Sequence, residues 1–172
     1  MYLSRQDIVD LVKLASTEVV SGLSDRALRE QTAGVVDTVL NRAASGRWGK
    51  KGNIRAVINA DRQFSKIAGP AALAPYGSVQ NMPNNRINRK VEAAVLEHLQ
   101  YRINGGASIV GNHLHYANPN HSDASNMSWV RPMALKARRE GMVYGSGDAI
   151  HVHGTEPAFN RFRPNKFDIK LM

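Results

Sequence analysis

A carboxyl group at the end of the first apolar segment is the strongest candidate for chemistry. Glu18 lies in the segment 15–20, which reads ASTEVV and is followed directly by a Ser-Gly turn. Burial among apolar side chains raises the pKa of a carboxyl group, so that it holds its proton near neutral pH. A general acid that protonates a glycosidic oxygen needs this property. From the residues alone, a surface glutamate at a helix end is the alternative.

An amide beside an aromatic ring forms the second candidate. Gln63, Phe64 and Ser65 follow a short predicted helix and precede a long irregular segment. Glutamine offers both a donor and an acceptor to sugar hydroxyl or acetamido groups, and an aromatic ring offers an apolar face to a pyranose. We expect these three residues to bind a sugar. The alternative is that Phe64 belongs to the core.

Histidines at alternate positions form the third candidate. Alternate residues of a strand point the same way, and imidazole is a good zinc ligand. An alternative metal site would therefore draw on His113, His115, His121, Asp123, His151 and His153. The sequence contains no His-Glu-x-x-His motif, which is the helical zinc signature. The primary prediction is a site with no metal and no cofactor.

Length and composition favour one domain over residues 1–172. The chain has 172 residues, of which 42% are hydrophobic and 22% are charged, which is ordinary for a globular protein that builds its own core. It has no cysteine, which excludes disulfides, thiolate metal ligands and a cysteine nucleophile. We expect no membrane span, because no run approaches the roughly 20 apolar residues that one requires.

A net charge of +9 favours a polyanionic partner such as nucleic acid, an anionic membrane or the bacterial cell wall. The basic residues are scattered and are not interleaved with aromatic residues, so we expect no nucleic-acid partner.

The first residues, MYLSRQD, lack the basic start and apolar run of a secretory signal, and no export signal is expected here. The localisation and the route to a wall stay open, and we expect a monomer.

Hydrophobic periodicity predicts a mainly α, α+β fold with little strand. Ser4 and Ser24 are expected to cap the first two helices, and Pro132 is expected in the first turn of the last one. A short strand is expected within 108–121. The other predicted elements are helices at 5–20, 25–45, 53–58, 86–103 and 128–140, a strand at 149–153, and a long irregular loop over 61–85.

Three segments taken together resemble the spore-cortex-lytic type of cell wall hydrolase. They are ASTE at 15–18, QTAGVVDTVLNR at 31–42, and the stretch from Val57-Ile58 to Gln63-Phe64-Ser65. That family shows a glutamate ending one helix, a second helix closing in Val-Leu-Asn-Arg, and a Gln-Phe motif after a short third helix. The similarity continues through Tyr116-Ala117-Asn118-Pro119.

The resemblance implies a lysozyme-like fold that cleaves the bond between N-acetylmuramic acid and N-acetylglucosamine, with peptidoglycan glycan strands as the partner. It gives Glu18 the role of catalytic acid and matches Gln63 to the cleft amide of the family. It also places Tyr116 and Asn118 opposite Glu18 as substrate-binding residues, with the Tyr116 hydroxyl bonded to substrate or to Glu18. Asn41 and Arg42 are expected to fix the second helix by binding carbonyls and carboxylates.

The outcome of the reaction stays open at this point. Hydrolysis would need a second carboxylate, for which the nearby candidates are Asp25, Glu30, Asp37 and Asp61. A lytic transglycosylase would need none, because the 6-hydroxyl of muramic acid attacks instead. The alternative functions are a metal-dependent cell wall amidase or other hydrolase built on the histidines, and a basic nucleic-acid-binding module.

Overall fold

The computed structural model of the chain describes residues 1–172 and contains six α-helices and five short strands. The helices are α1 (Arg5–Glu18), α2 (Asp25–Ser45), α3 (Ile54–Ile58), α4 (Ser65–Ala68), α5 (Arg89–Ile103) and α6 (Met127–Glu140). The strands are β1 (Tyr2–Leu3), β2 (His115–Ala117), β3 (Val143–Ser146), β4 (Ala149–Gly154) and β5 (Lys170–Leu171). Short 3-10 segments occupy Ala71–Leu73, Asn84–Arg86 and Pro157–Phe162. The predicted mainly α, α+β class is confirmed, whereas its lysozyme-like character stays a prediction.

Local capping sets the first two helices. The Ser4 side chain accepts from the Asp7 backbone N–H, and the Asp7 carboxylate accepts from the Ser4 N–H, which forms a capping box. Ser24 caps α2 through the Ala27 N–H, and Gly46 ends that helix in the left-handed conformation at φ 72°. Both predicted caps are confirmed. Helix α1 ends at Glu18, two residues before the predicted end.

Helix α2 is the central element of the fold. Of its 21 residues, 14 are buried, and these include polar side chains such as Gln31, Asp37 and Asn41. It packs against α1, α3 and α5 and also contacts all three strands of the larger sheet. The main hydrophobic cluster contains 23 buried residues. Because α2 contributes to this cluster and also contacts the sheet, its side chains can fix the sheet relative to the other helices.

The larger sheet is antiparallel with strand order β2-β4-β3. Tyr116 lies opposite His153, and Tyr144 lies opposite His151. Strand β4 and a strand near 115 were predicted, but β3 was not. It pairs with β4 across a turn at Gly147-Asp148, a two-residue glycine-containing turn of the kind that connects hairpins. The terminal strands β1 and β5 form a separate parallel pair.

Helix α6 covers one face of the sheet, where Met133, Ala134 and Ala137 pack on Val152. The expected position of Pro132 is wrong, because the helix begins at Met127 and places this proline beyond its first turn. Its ring is exposed, so the residues that pack on the sheet are not displaced by it. None of the helices combines the length and apolarity needed to cross a membrane.

Candidate active site

The Glu18 carboxyl lies at the C-terminal end of α1, beside the turn into α2. The last turn of α1 holds no basic residue, so the negative end of the helix dipole also disfavours an anion there. Burial raises the pKa of Glu18 above its ordinary 4.5, and this outweighs the lowering by a hydrogen bond from Tyr116 and by the charge of Arg42. The carboxyl therefore keeps its proton to a higher pH than an exposed glutamate.

Tyr116 on β2 faces this carboxyl. Its hydroxyl donates to Glu18 Oε1 across 2.6 Å. Burial and the neighbouring carboxylate raise the pKa of the phenol well above its usual value, so it remains a donor at all physiological pH values. The expected contact between Tyr116 and Glu18 is confirmed, and a catalytic role for Tyr116 stays a prediction.

Arg42, in the last turn of α2, supplies the positive charge of the site. Its Nε donates to the Leu114 carbonyl across 2.7 Å, and one terminal nitrogen donates to Gln63 Oε1 across 3.3 Å. The guanidinium lies 4.7 Å from the ring centroid of Trp48 and 5.2 Å from that of Phe64. Burial lowers the pKa of Arg42 to about 10, which leaves it charged at neutral pH.

The three residues of the Gln-Phe-Ser segment differ in burial and in their contacts. Gln63 is partly buried and is linked to the site through its bond from Arg42. Phe64 is only 1% exposed and belongs to the main core, so the expectation that its ring contacts a sugar is wrong. A ring that is so fully buried has no face available to a ligand. Ser65 is exposed at the start of α4.

Asn118 is tied into its own loop. Its side-chain nitrogen donates to the Asp148 carbonyl across 2.7 Å, and its Oδ1 accepts from the Asn120 N–H. Both ends of the amide are therefore occupied, and they connect the loop after β2 to the β3–β4 turn. The structure bonds Tyr116 to Glu18 and Arg42 to Gln63, and the charge of Arg42 acts on Glu18. It does not bring Asn118 into these contacts.

The alternative metal site is not assembled. No group of three or more His, Cys, Asp or Glu side chains is placed to hold an ion. The sheet register gives the physical reason: Tyr116 pairs with His153, so His151 and His153 share the face of Tyr116, whereas His115 points to the opposite face.

On that opposite face, His115 contacts the rings of Trp48, Trp129 and Phe159. Burial lowers its pKa to about 3. The remaining members of the alternative set are also engaged elsewhere or exposed. His113 Nδ1 bonds to the Thr155 hydroxyl, Asp123 accepts from Ser125 and Asn126, and His121 is exposed.

The uncharged rings of His151 and His153 pack against the ring of Tyr116. The His151 ring stacks on Tyr116 with centroids 4.7 Å apart, and the His153 ring lies at 5.3 Å. Burial lowers the pKa of His151 to about 4 and that of His153 well below its usual value. Both rings are therefore neutral at physiological pH and orient the phenol by packing.

A buried amide on α2, Gln31, is important for the site geometry but was not expected from the sequence to be a site residue. Gln31 is 0% exposed; it accepts from the Val20 N–H and donates to the carbonyls of Tyr144 and Ala149. It thus ties the turn after Glu18 to the β3–β4 hairpin. An amide within an otherwise apolar helical face is the signal that could have found it.

Asn41 and Arg42 bind backbone carbonyls, as expected, but not those of their own helix. The Asn41 side chain donates to the carbonyls of Gly111 and His113. Together with the bond from Arg42 to Leu114, these contacts fix the segment that leads into β2 and so place Tyr116 against Glu18.

Chemically, the arrangement is a single, partly buried acid that is bonded to a phenol donor and lies within the electrostatic influence of a guanidinium. It can release a proton to a bound oxygen and then stabilise the resulting carboxylate. No protein-family profile, curated protein or solved structure gives a significant match to this chain.

Proposed function

We propose that this chain is a peptidoglycan glycosidase that cleaves the bond between N-acetylmuramic acid and N-acetylglucosamine, with Glu18 as the general acid. The observation that carries the proposal is the partly buried Glu18 carboxyl, whose pKa is raised and whose Oε1 accepts from Tyr116 across 2.6 Å. Glycoside cleavage requires a carboxylic acid that is still protonated when it meets the leaving oxygen.

The surroundings of Glu18 favour a mechanism with one carboxylate. Asp37 is fully buried and paired with Arg102, and the remaining candidates Asp25, Glu30 and Asp61 are at least partly exposed. The charged group that shifts the pKa of Glu18 is a cation, Arg42. We therefore propose a lytic transglycosylase, in which the sugar supplies its own nucleophile.

The reaction balances without water. The Glu18 acid gives its proton to the glycosidic oxygen of N-acetylglucosamine as the bond from C1 of the muramic acid to that oxygen breaks. The 6-hydroxyl oxygen of the same muramic acid then bonds to C1, and its proton returns to the Glu18 carboxylate. The products are a free 4-hydroxyl and a 1,6-anhydro end. Between the two steps, the hydrogen bond from Tyr116 and the positive charge of Arg42 stabilise the carboxylate.

The sequence is compatible with two other functions. A metal-dependent amidase draws no support from the side-chain arrangement, because His115 lies on the face of the sheet opposite His151 and His153 and no three potential ligands come together. A nucleic-acid module would use the +9 charge but gives no reason for a partly buried acid bonded to a phenol.

Mass spectrometry of muropeptides tests the proposal, because it reports which bond is broken and how the new end is closed. Digestion of purified sacculi is expected to yield 1,6-anhydro muramic acid ends at the same rate with and without a chelator. Reducing muramic acid ends would keep the glycosidase and overturn the transglycosylase outcome. Released stem peptides with intact glycan strands, or loss of activity on chelation, would contradict the proposal as a whole.

A further inference from the structure

His151, on β4, is a buried histidine whose ring makes no hydrogen bond. The residue is 6% exposed, and burial is the one cause that lowers its pKa to about 4. Its Nδ1 is enclosed by protein and has no partner, whereas Nε2, also without a partner, is not enclosed and still reaches solvent. Buried polar side-chain atoms are normally hydrogen-bonded, and leaving them unpaired costs free energy. The unpaired nitrogens of His151 therefore indicate a role beyond packing.

His153, two residues further along the same strand, provides the contrast. It is 1% exposed, and its Nδ1 bonds to the Thr38 hydroxyl across 3.2 Å. Its Nε2 is enclosed and lies so close to α2 that a Cβ added at Gly34 would be 2.7 Å away. Of the two histidines on this face of the sheet, only His151 keeps a ring nitrogen that a ligand can reach.

Two independent contacts place His151 at the Glu18 site. Its ring stacks on that of Tyr116, with centroids 4.7 Å apart and planes within 25° of each other, and the Tyr116 hydroxyl bonds to Glu18. In addition, Gln31 bonds both to the backbone of the turn after Glu18 and to the Ala149 carbonyl. That turn is therefore tied to β4 two residues before His151, which brings the ring beside the acid.

The different surroundings of the two nitrogens also determine which of them carries the proton. A neutral imidazole has one N–H donor and one acceptor nitrogen. Buried N–H groups are left without an acceptor more rarely than acceptors are left without a donor. The proton therefore belongs on Nε2, and the enclosed Nδ1 keeps its lone pair. His151 thus presents an N–H donor to the site.

We infer that His151 is a substrate-binding residue whose Nε2–H donates to the carbonyl oxygen of the N-acetyl group next to the bond that Glu18 cleaves. This inference rests on the proposed function. In that substrate, the carbon beside C1 of the muramic acid carries an acetamido group, whose carbonyl oxygen only accepts and so suits a fixed donor.

The consequence is selectivity for N-acetylated glycan strands. De-N-acetylation replaces the acetamido group with an ammonium, which has no acceptor to offer to the Nε2–H of His151. A site built to bond one polar group rejects the analogue that lacks it, because the group of the site is then left unpaired. De-N-acetylated strands are therefore expected to be poor substrates.

Three variants test this selectivity. His151→Phe keeps an aromatic ring against Tyr116 but removes the donor, whereas His151→Gln keeps an N–H donor on a side chain of similar reach. The control variant is His121→Phe, the same change at an exposed histidine. Each protein is given soluble glycan strands and the same strands after de-N-acetylation.

The measured quantity is the ratio of kcat/KM on acetylated strands to kcat/KM on de-N-acetylated strands. In His151→Phe this ratio is expected to fall by about tenfold relative to wild type, because only the acetylated strand loses a hydrogen bond. His151→Gln is expected to recover part of the ratio, and His121→Phe keeps the wild-type value. A packing role would lower both rates equally, so an unchanged ratio in His151→Phe overturns the proposal.

A second measurement does not depend on turnover. Nitrogen-15 NMR of the Glu18→Gln protein reports which ring nitrogen of His151 carries the proton and whether glycan strands shift it. We expect a proton on Nε2 and an Nε2 resonance that moves with acetylated strands but not with de-N-acetylated ones. A proton on Nδ1, or an Nε2 resonance that bound acetylated strands leave unmoved, overturns the proposal.

The outcomes separate the two proposals. Absence of glycan cleavage by wild type contradicts the proposed function, whereas cleavage with the same substrate ratio in wild type and His151→Phe contradicts only the role of His151.

Discussion

Replacing Tyr116 with phenylalanine removes the one oxygen that contacts the Glu18 carboxyl. The lost bond spans 2.6 Å in a partly buried site, and a hydrogen bond to a charged group contributes about 1.5–3 kcal/mol. Because the bond favours the ionised carboxyl, its loss raises the pKa of Glu18 further. The alkaline limb of the pH–rate profile is expected to move to higher pH, and kcat near neutral pH is expected to fall several-fold.

Tyr144→Phe is the matched control. Its hydroxyl donates to the Ile109 carbonyl across 2.8 Å, and its ring packs against His153 at 5.5 Å, but it does not contact Glu18. It is expected to lose about 1 kcal/mol of stability and to keep the wild-type alkaline limb. Rates on soluble glycan strands between pH 4 and pH 9 measure both variants. Superimposable profiles for wild type and Tyr116→Phe would refute this account of the pair.

Three further predictions follow from charge and packing. Because the pKa of Glu18 is raised, the folded state binds more protons than the unfolded state at pH values above the ordinary pKa of 4.5. Stability therefore falls as the pH rises from 4.5 through the pKa of the folded state. By calorimetry, Glu18→Gln is expected to match wild type near pH 4 and to unfold at a higher temperature than wild type near pH 8. An added Cβ at Gly34 would lie 2.7 Å from His153 Nε2. Gly34→Ala is therefore expected to lower the free energy of unfolding, measured in urea, by about 1–3 kcal/mol. An unchanged urea midpoint would contradict this packing. The +9 charge predicts that turbidity clearing of sacculi slows as salt shortens the screening length to about 3 Å near 1 M, whereas a constant rate would rule out electrostatic capture.

Elements governed by local signals were predictable from the sequence. Ser4 with Asp7, and Ser24 with the later Gly46, set helix boundaries through backbone groups only a few residues away. The position of Glu18 at a helix end follows from the same periodicity. These features depend on chain-local hydrogen bonds, which sequence spacing encodes directly.

Features set by long-range pairing were not predictable. Whether His115 shares a face with His151 depends on the register between β2 and β4, and a shift of one residue reverses the answer. The environment of Phe64 is also set by distant residues. Its ring packs under Arg42, and Arg42 is bonded to the carbonyl of Leu114, 72 residues further along the chain. The aromatic environment of Arg42 forms only when the segments that carry Trp48 and Phe64 pack against the end of α2.

The role of Glu18 as the catalytic acid is tested most directly by the rate at which Glu18→Gln releases anhydro-muropeptides from sacculi. The amide keeps the volume of the side chain and can still accept from Tyr116, but it has no proton to transfer. The rate is expected to fall by about 10²–10⁴-fold, while Glu97→Gln, the same change at an exposed residue of α5, keeps the wild-type rate. A Glu18→Gln protein that has the circular dichroism spectrum of wild type and also its rate of release would contradict the assignment.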